Sequence, residues 1–253
     1  MMKLKLKPKI RALIIAVAVV ASIGFVEKKQ SERAYNAIKV KIGNQLENYF
    51  INENDILKVL ENQGGPVLIG ATTKDVDLGE IEKLVASLHY VDKADVYRDY
   101  QGTLNVQILQ SRPMARIVRP TAPDAYISTS GKILPLSDRF TARTLLISGG
   151  FTERLLAQPL LEDEQNKPVF DMVSYINENR FWKAQVAQLD IDRSGKITIY
   201  PQVTKQLIRF GKADEVGQKF KKIKIFYDRI LPYKGWNHYQ EVNVKYKDQI
   251  ICK

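Results

Sequence analysis

Six consecutive residues have the types and spacing of a calcium-binding loop. Residues 190–195 place oxygen-bearing side chains at the first, third and fifth positions and glycine at the sixth, as an EF-hand loop does. The last position of such a loop supplies a bidentate glutamate, but here it is Pro201. The letters SGKI of this stretch also recur at residues 130–133 between apolar runs. Turn chemistry explains both stretches, and no metal site is predicted.

Catalytic chemistry finds little support in the remaining reactive side chains. His89 and His238 are far apart in the sequence and in no metal-type spacing; His89 follows a predicted helix, where a capping role is expected. Cys252 has no histidine nearby in sequence and is predicted to fill space on a strand. The nucleophile-elbow, zinc-protease and phosphate-loop motifs are absent from the sequence. We therefore predict a non-enzymatic protein with no cofactor and no small-molecule substrate.

The formal net charge of +11 would suit a nucleic-acid partner, but its distribution argues against one. Five basic residues fall within the first eleven positions. A later group of four lysines lies between apolar residues that recur at helical spacing. This pattern predicts that the lysines form the solvated face of an amphipathic helix. The four are Lys219, Lys221, Lys222 and Lys224. Because a nucleic-acid binder gathers its charge into one patch, we predict no nucleic-acid partner.

The basic start precedes an uncharged apolar run at residues 12–26. Such a helix, extended by Ile10 and a snorkelling Arg11, reaches the lower limit for crossing a membrane. A cleaved signal peptide is the alternative. We favour a retained transmembrane helix at 12–26, because the small-residue site lies inside the apolar run. The basic tail, residues 1–11, would then be cytoplasmic, and a polar tether at 27–36 would lead to an exported body.

The exported body is predicted to begin with a β-α-α-β-β unit at residues 37–111. Residues 37–42 alternate like a strand, and Asn52 and Asp77 are helix start signals, each followed three residues later by an acidic residue. Two further alternating runs, joined through residues 100–102, predict a β-hairpin. A small sheet with two helices on one face is therefore expected.

Residues 112–253 form a second predicted domain. Short strand-like runs dominate it, bounded by Pro, Gly and Asp, and one helix has an apolar stripe; the stripe contains Val169, Met172, Val173 and Ile176. These features predict a mostly antiparallel β domain, and the fold class of the whole chain is α+β. The single cysteine excludes an internal disulfide, so the core alone must hold the exported body together.

Taken together, these segments resemble the FtsQ/DivIB family of bacterial cell-division proteins. Residues 37–110 are similar to the POTRA domain of that family. The run VQILQSRPMARI resembles the family's V-x-V-x-E-R-x-P-x-A-x-I stretch between two domains, with Ser111 in place of glutamate. YISTSGKILP resembles the segment that follows, with Ser128 in place of aspartate. The ending FYDRILPYKGWNHYQEVNVKYKDQIIC is most similar to FtsQ proteins of the Bacteroidota.

The resemblance implies a non-enzymatic scaffold of the divisome with a single membrane span. Such a scaffold binds FtsB- and FtsL-type single-span proteins and links early to late division proteins. The implied location is the inner membrane at the septum, with the N-terminus cytoplasmic and the bulk periplasmic. The alternative is an exported POTRA-like interaction module in outer-membrane protein assembly or secretion.

The end of the chain predicts the partner surface. Residues 249–253 are typical of a short edge strand that another chain can extend. In the family, an FtsB segment adds to the last strand, and a basic-aromatic pair before it takes part. The implied partner-binding residues are Lys245, Tyr246, Gln249, Ile250, Ile251, Cys252 and Lys253. The alternative is that Ile250 and Ile251 pack onto the domain's own core.

Alternation also predicts that Val242, Val244 and Tyr246 share one face of the preceding strand. A second possible partner edge is predicted in the first domain, where a strand at residues 94–99 would be the outer edge of the sheet. Its candidate residues are Asp95, Tyr97 and Asp99. Charged side chains there would limit nonspecific pairing.

Overall fold

The computed structural model describes residues 15, 17–22, 34–44, 49–62, 68–72 and 74–253. Residues 15 and 17–22 are helical. Within these ranges, no helix combines the length and the apolar character needed to cross a bilayer. The predicted tail and most of the predicted transmembrane segment and tether lie outside the described residues.

The chain forms two compact units. The first extends to Gln110, and the second runs from Ser111 to Lys253 together with Tyr49 and Phe50. The first unit has the predicted β-α-α-β-β order: β1 (Ala37–Gly43), α1 (Glu53–Asn62), α2 (Leu78–Ala86), β2 (Val91–Arg98) and β3 (Thr103–Gln110).

Both helices of the first unit begin at the predicted caps. The Asp55 N–H donates to Asn52 Oδ1 at 3.0 Å, and the Gly79 N–H donates to Asp77 Oδ1 at 2.8 Å. Each bond satisfies a backbone donor that has no partner within its own helix. The helix starts predicted from the sequence are therefore confirmed.

The sheet of the first unit has β3 at its centre. β1 pairs with β3 in parallel and β2 pairs with it antiparallel. β2 and β3 form the predicted hairpin, whose turn holds Gly102 at φ +88°. Leu104, Val106 and Ile108 on β3 are buried, so the sheet has one apolar face. Both outer strands, β1 and β2, are edges of this sheet.

The second unit contains nine strands, five α-helices and one π-helix: β4 (Pro113–Ile117), β5 (Ala125–Ser128), β6 (Ile133–Pro135), β7 (Leu145–Ser148), α3 (Thr152–Ala157), α4 (Asn166–Glu178), α5 (Arg180–Gln185), β8 (Val186–Ile191), β9 (Ile197–Pro201), β10 (Leu207–Gly211), α6 (Val216–Ile225), the π-helix (Phe226–Ile230), α7 (Leu231–Lys234), β11 (Glu241–Asn243) and β12 (Ile251–Cys252). The strands form one sheet in the order β12-β11-β10-β9-β8-β7-β4-β5-β6.

The sheet of the second unit is mixed: five of its eight strand pairs are antiparallel, as predicted, but three are parallel. The pairs β4–β7, β7–β8 and β10–β11 are parallel. A parallel pair needs a long crossover connection, usually helical. Helices α3 to α5 connect β7 to β8, and α6, the π-helix and α7 connect β10 to β11. Short apolar runs do not indicate which strands pair, so the strand directions were not visible in the sequence.

An aromatic cluster holds α6 against the core of the second unit. The rings of Tyr175, Trp182 and Phe210 surround Phe220 of α6, with centroid distances of 5.2, 4.6 and 5.3 Å. The predicted apolar stripe of α4 is buried in the same core, which contains Val169, Met172, Val173 and Ile176. Because aromatic pairs contribute beyond their buried area, this cluster fixes α6 beside the last strands of the sheet.

One lysine of the predicted solvated helix face is buried. Lys221 is exposed, but Lys219 is only 3% exposed. The Lys219 ammonium forms an ion pair with Asp214 and donates to the Lys212 carbonyl at 3.0 Å. It also lies 5.0 Å from the centre of the Phe210 ring. Such partners make the burial of a charge tolerable, and the prediction of a solvated face is wrong for Lys219.

Candidate functional site

β12 forms one edge of the nine-stranded sheet. It pairs antiparallel with β11, with Cys252 opposite Val242 and Ile251 opposite Asn243. The regular strand covers two residues, fewer than the five-residue run predicted from the sequence. In the described part of the chain, no strand pairs with the outer side of β12.

The hydrogen bonds at the end of β12 show which backbone groups point outward. The Lys253 N–H donates to the Glu241 carbonyl at 2.9 Å, and the Glu241 N–H donates to the Lys253 carbonyl at 3.1 Å. In an antiparallel pair, residues that exchange two such bonds alternate with residues whose N–H and C=O face the other way. The N–H and C=O of Cys252 therefore point out of the sheet, where a further strand can pair with them.

The side chains around β12 alternate between the core and the solvent. Ile250 and Cys252 pack against the core, whereas Ile251 between them is 38% exposed. The alternative of core packing is therefore right for Ile250 and wrong for Ile251. Burial raises the pKa of the Cys252 thiol, which keeps the sulfur protonated and suits a packing role rather than nucleophilic chemistry.

Tyr246 does not share the face of the two valines before it. Val242 and Val244 are fully buried, but Tyr246 is 46% exposed. The reason is that β11 ends at Asn243, so strand alternation ends there, and Asp248 turns the chain back at φ +54°. The predicted common face is wrong for Tyr246.

Lys245 and Tyr246 stand together at the surface of this loop. The Lys245 Nζ lies 4.6 Å from the centre of the Tyr246 ring, within the range of a cation–π contact. The Lys245 N–H donates to Asn243 Oδ1 at 3.1 Å, which ties the loop to the end of β11. The structure thus places the predicted basic-aromatic pair in the loop that leads from β11 to the edge strand.

Lys222 on α6 orders the same loop, and sequence reasoning missed it. Its Nζ donates to the carbonyls of Val244 at 2.6 Å and Tyr246 at 2.5 Å. Hydrogen bonds from a charged donor contribute more than neutral ones. The sequence placed Lys222 on a solvated face with its neighbours. No local signal distinguishes it, because its partners lie 22 and 24 residues further along the chain.

The three residues predicted to form a second partner edge, in the first unit, do not all lie on the same strand. Asp95 and Tyr97 lie on β2, an edge strand, but Asp99 lies after that strand, in the hairpin turn. Its Oδ1 accepts from the N–H groups of Gln101 and Thr103, each at 2.9 Å. The hydrogen bond from the Thr103 backbone is the main cause that lowers the pKa of Asp99. Asp99 is thus a turn residue, and its placement on the edge is corrected.

A neighbouring helix contacts the β2 edge. The Val96 N–H donates to Glu82 Oε2 of α2 at 3.4 Å, so this N–H points away from β3. By strand alternation the Ala94 N–H also points outward. The exposed side chains of Lys93 and Asp95 flank Ala94. This edge therefore carries charges of both signs and one carboxylate directed at its backbone.

The calcium-like stretch forms the turn between β8 and β9. Asp192 Oδ1 accepts from the N–H and hydroxyl of Ser194 at 2.8 and 2.7 Å and from the Lys196 N–H at 3.0 Å. Asp190 lies on β8 and accepts from the Ser148 hydroxyl at 2.7 Å. Among the residues that the structure describes, no cluster of His, Cys, Asp or Glu could hold a metal ion.

The two histidines lie just after the end of α2 and in the segment before β11. The predicted capping role of His89 is wrong, because Ser87 ends α2 and donates its hydroxyl to the Leu84 carbonyl at 2.6 Å. The His238 ring lies 4.7 Å from the ring of Tyr239, in the segment before β11.

The two units define a class of protein: a small POTRA-like sheet followed by a mixed sheet that ends on an edge strand. Residues 34–109 match a family described as POTRA-like domain. Residues 112–253 match the family described as FtsQ/DivIB, C-terminal related. This match covers more than half of the chain, and the chain belongs to the FtsQ/DivIB family. No curated protein matches it significantly.

The two matches confirm the resemblance seen in the sequence. Domains of these two kinds are typically non-catalytic scaffolds, and together they indicate a cell-division protein that acts by binding other proteins.

Proposed function

We propose that this protein is a non-enzymatic bitopic scaffold of the bacterial divisome, which binds FtsB- and FtsL-type single-span proteins through β12. A single helix near the N-terminus would anchor it in the inner membrane at the septum, with the N-terminus cytoplasmic and both units periplasmic. The match of the second unit supports cell division over the alternative of outer-membrane protein assembly or secretion.

The observation that supports this proposal most directly is the outward direction of the Cys252 N–H and C=O on an edge strand. Strand addition uses such groups for affinity and alternate side chains for specificity. Tyr246 adds exposed aromatic area with a polar tip, which is common at binding hot spots. Lys245 would make a single contact with a partner carboxylate, weaker than the forked contact of an arginine.

The test is affinity capture of the full-length protein from its own membranes. We expect the native chain to recover two small single-span proteins. A variant that lacks residues 249–253 should recover neither, and Tyr246→Ala should recover roughly tenfold less, because a loss of about 1.4 kcal/mol on truncating an interface tyrosine is a tenfold loss of affinity. Tyr233→Ala is the matched control, since Tyr233 is an 86% exposed tyrosine of the same unit.

The decisive comparison is between recovery and stability. The proposal is refuted if the variant lacking residues 249–253 melts at the native temperature and still captures both proteins. It is also refuted if Tyr233→Ala lowers recovery as much as Tyr246→Ala does, because the effect would then not depend on the edge.

A further inference from the structure

A surface groove lies between α6 and the loop that leads into β12. Its volume is about 420 Å³, and its lining includes Gln218, Lys221, Lys222 and Ile225 of α6 and Lys247 and Ile250 of the loop. The α6 residues recur at helical spacing and therefore form one stripe along the helix. The groove thus begins where the edge strand begins.

The groove has an apolar floor and an excess of positive charge. Ile225 is 38% exposed in it, and Ile250 is partly buried against the core beneath it. Three lysines line the groove against two carboxylates, Glu215 and Asp248. A basic rim around apolar side chains is complementary to an apolar side chain with acidic neighbours.

Strand geometry connects this groove to the edge of β12. Residues that pair across neighbouring strands point to the same face of a sheet. A strand added outside β12 would therefore direct the side chain opposite Ile250 toward the face on which Ile250 packs. That face is the one that α6 covers at the groove.

We infer that this groove receives side chains of the same partner segment that adds to β12. The inference rests on the proposed function and names the partner's chemistry. The partner residue opposite Ile250 is apolar and contacts Ile225. Its neighbours two positions away, on the same face, are acidic and meet Lys221 and Lys247. The partner is thus recognised from two sides, by the strand edge and by a helix.

Photo-crosslinking in the full-length, membrane-embedded protein tests this arrangement. The variants Ile225→p-benzoylphenylalanine and Ile251→p-benzoylphenylalanine should crosslink to the same partner segment, identified by mass spectrometry of the crosslinked peptide. That segment should contain an apolar residue with acidic residues two positions before and after it. Tyr233→p-benzoylphenylalanine, at an exposed position on α7 outside the groove, should not crosslink to it.

A charge-reversal pair tests the basic rim. In the double variant Lys221→Glu, Lys247→Glu, the acidic side chains of the partner would meet two new negative charges. We therefore expect crosslinking from position 251 to fall roughly tenfold. The control is the double variant Lys205→Glu, Lys234→Glu, which makes the same change in net charge at exposed lysines that do not line the groove. It should crosslink at the native level.

The outcomes separate this inference from the proposed function. Crosslinks from position 251 but none from position 225 overturn the groove inference and leave strand addition standing. Crosslinks from neither position overturn both. A different crosslinked protein at position 225, or an equal loss in the two charge-reversal variants, also overturns the groove inference.

Discussion

The edge strands β2 and β12, one in each sheet, differ in length, in charge and in what contacts them. β2 is an eight-residue edge strand, with a Glu82 carboxylate that accepts from its outward Val96 N–H and charged side chains along its length. β12 is a two-residue edge strand that directs the Cys252 backbone outward and exposes the apolar Ile251. The long edge is charged and contacted by a helix, whereas the short edge is apolar and no strand among the described residues covers it.

This difference shows how a chain can keep one edge available. A long edge strand is a template for nonspecific pairing, and charged side chains or a covering element limit that risk. A short edge offers few backbone groups, so its specificity must come from its surroundings. Around β12 these are the loop with Lys245 and Tyr246 and the groove beside α6.

The largest expected effect is that of proline at an outward N–H. Cys252→Pro removes the outward N–H donor of residue 252 but no hydrogen bond to β11. Edge strands tolerate proline at positions whose N–H points away from the sheet. We expect partner capture to fall roughly tenfold or more, because one intermolecular hydrogen bond is lost and the proline ring obstructs pairing. Cys252→Ala removes the same side chain and should capture partners normally. Affinity capture and melting temperature are the measurements.

The same change on the other edge sharpens the comparison. Ala94→Pro also removes an outward N–H, but on β2, and it should leave capture of the β12 partners unchanged. Loss of a different protein would support the predicted second partner edge at Asp95 and Tyr97. Equal loss of the β12 partners in Ala94→Pro and Cys252→Pro would contradict the distinction between the two edges.

A smaller effect is expected from Lys222, which positions the loop before β12 without lying on the edge. Lys222→Met keeps most of the aliphatic stem but removes both bonds to the carbonyls of Val244 and Tyr246. The melting temperature of the second unit should fall by about 3–6 °C, and partner capture roughly fivefold. Lys224→Met is the control, because Lys224 is paired with Asp228 instead. Native stability and capture in Lys222→Met would show that the loop holds its shape without this lysine.

The smallest effect is expected at Asp99, in the turn that ends the β2 edge. Its pKa in the folded protein lies below the ordinary value of 3.8. The ionised carboxylate therefore stabilises the hairpin above that ordinary pKa, and the contribution disappears as the pH falls through the lowered pKa. Asp99→Asn should melt slightly below the native protein at pH 7, and the difference should shrink as the pH falls below 3.8. A constant difference between the two proteins across this range would refute the assignment.

Local features of the fold could be predicted from the sequence. The caps at Asn52 and Asp77, the hairpin at Gly102 and the buried stripe of α4 all depend on residues a few positions apart. Helix caps and hairpin turns are set by such neighbours, and a helix face is set by its period. For the same reason, the turn at Asp192 could be predicted from its neighbours.

The sequence by itself determined the β-α-α-β-β order of the first unit, the helices α4 and α6 and an apolar run at the end of the chain. Only the tertiary structure decided which strands pair in parallel, that Lys219 is buried, that Lys222 holds the loop and that Tyr246 faces outward. Each of these depends on groups distant in sequence or on where a strand ends, and a local pattern does not specify either. The edge of β12 and its groove exist because α6 and the last three strands meet in space, with the Phe220 cluster fixing the helix there.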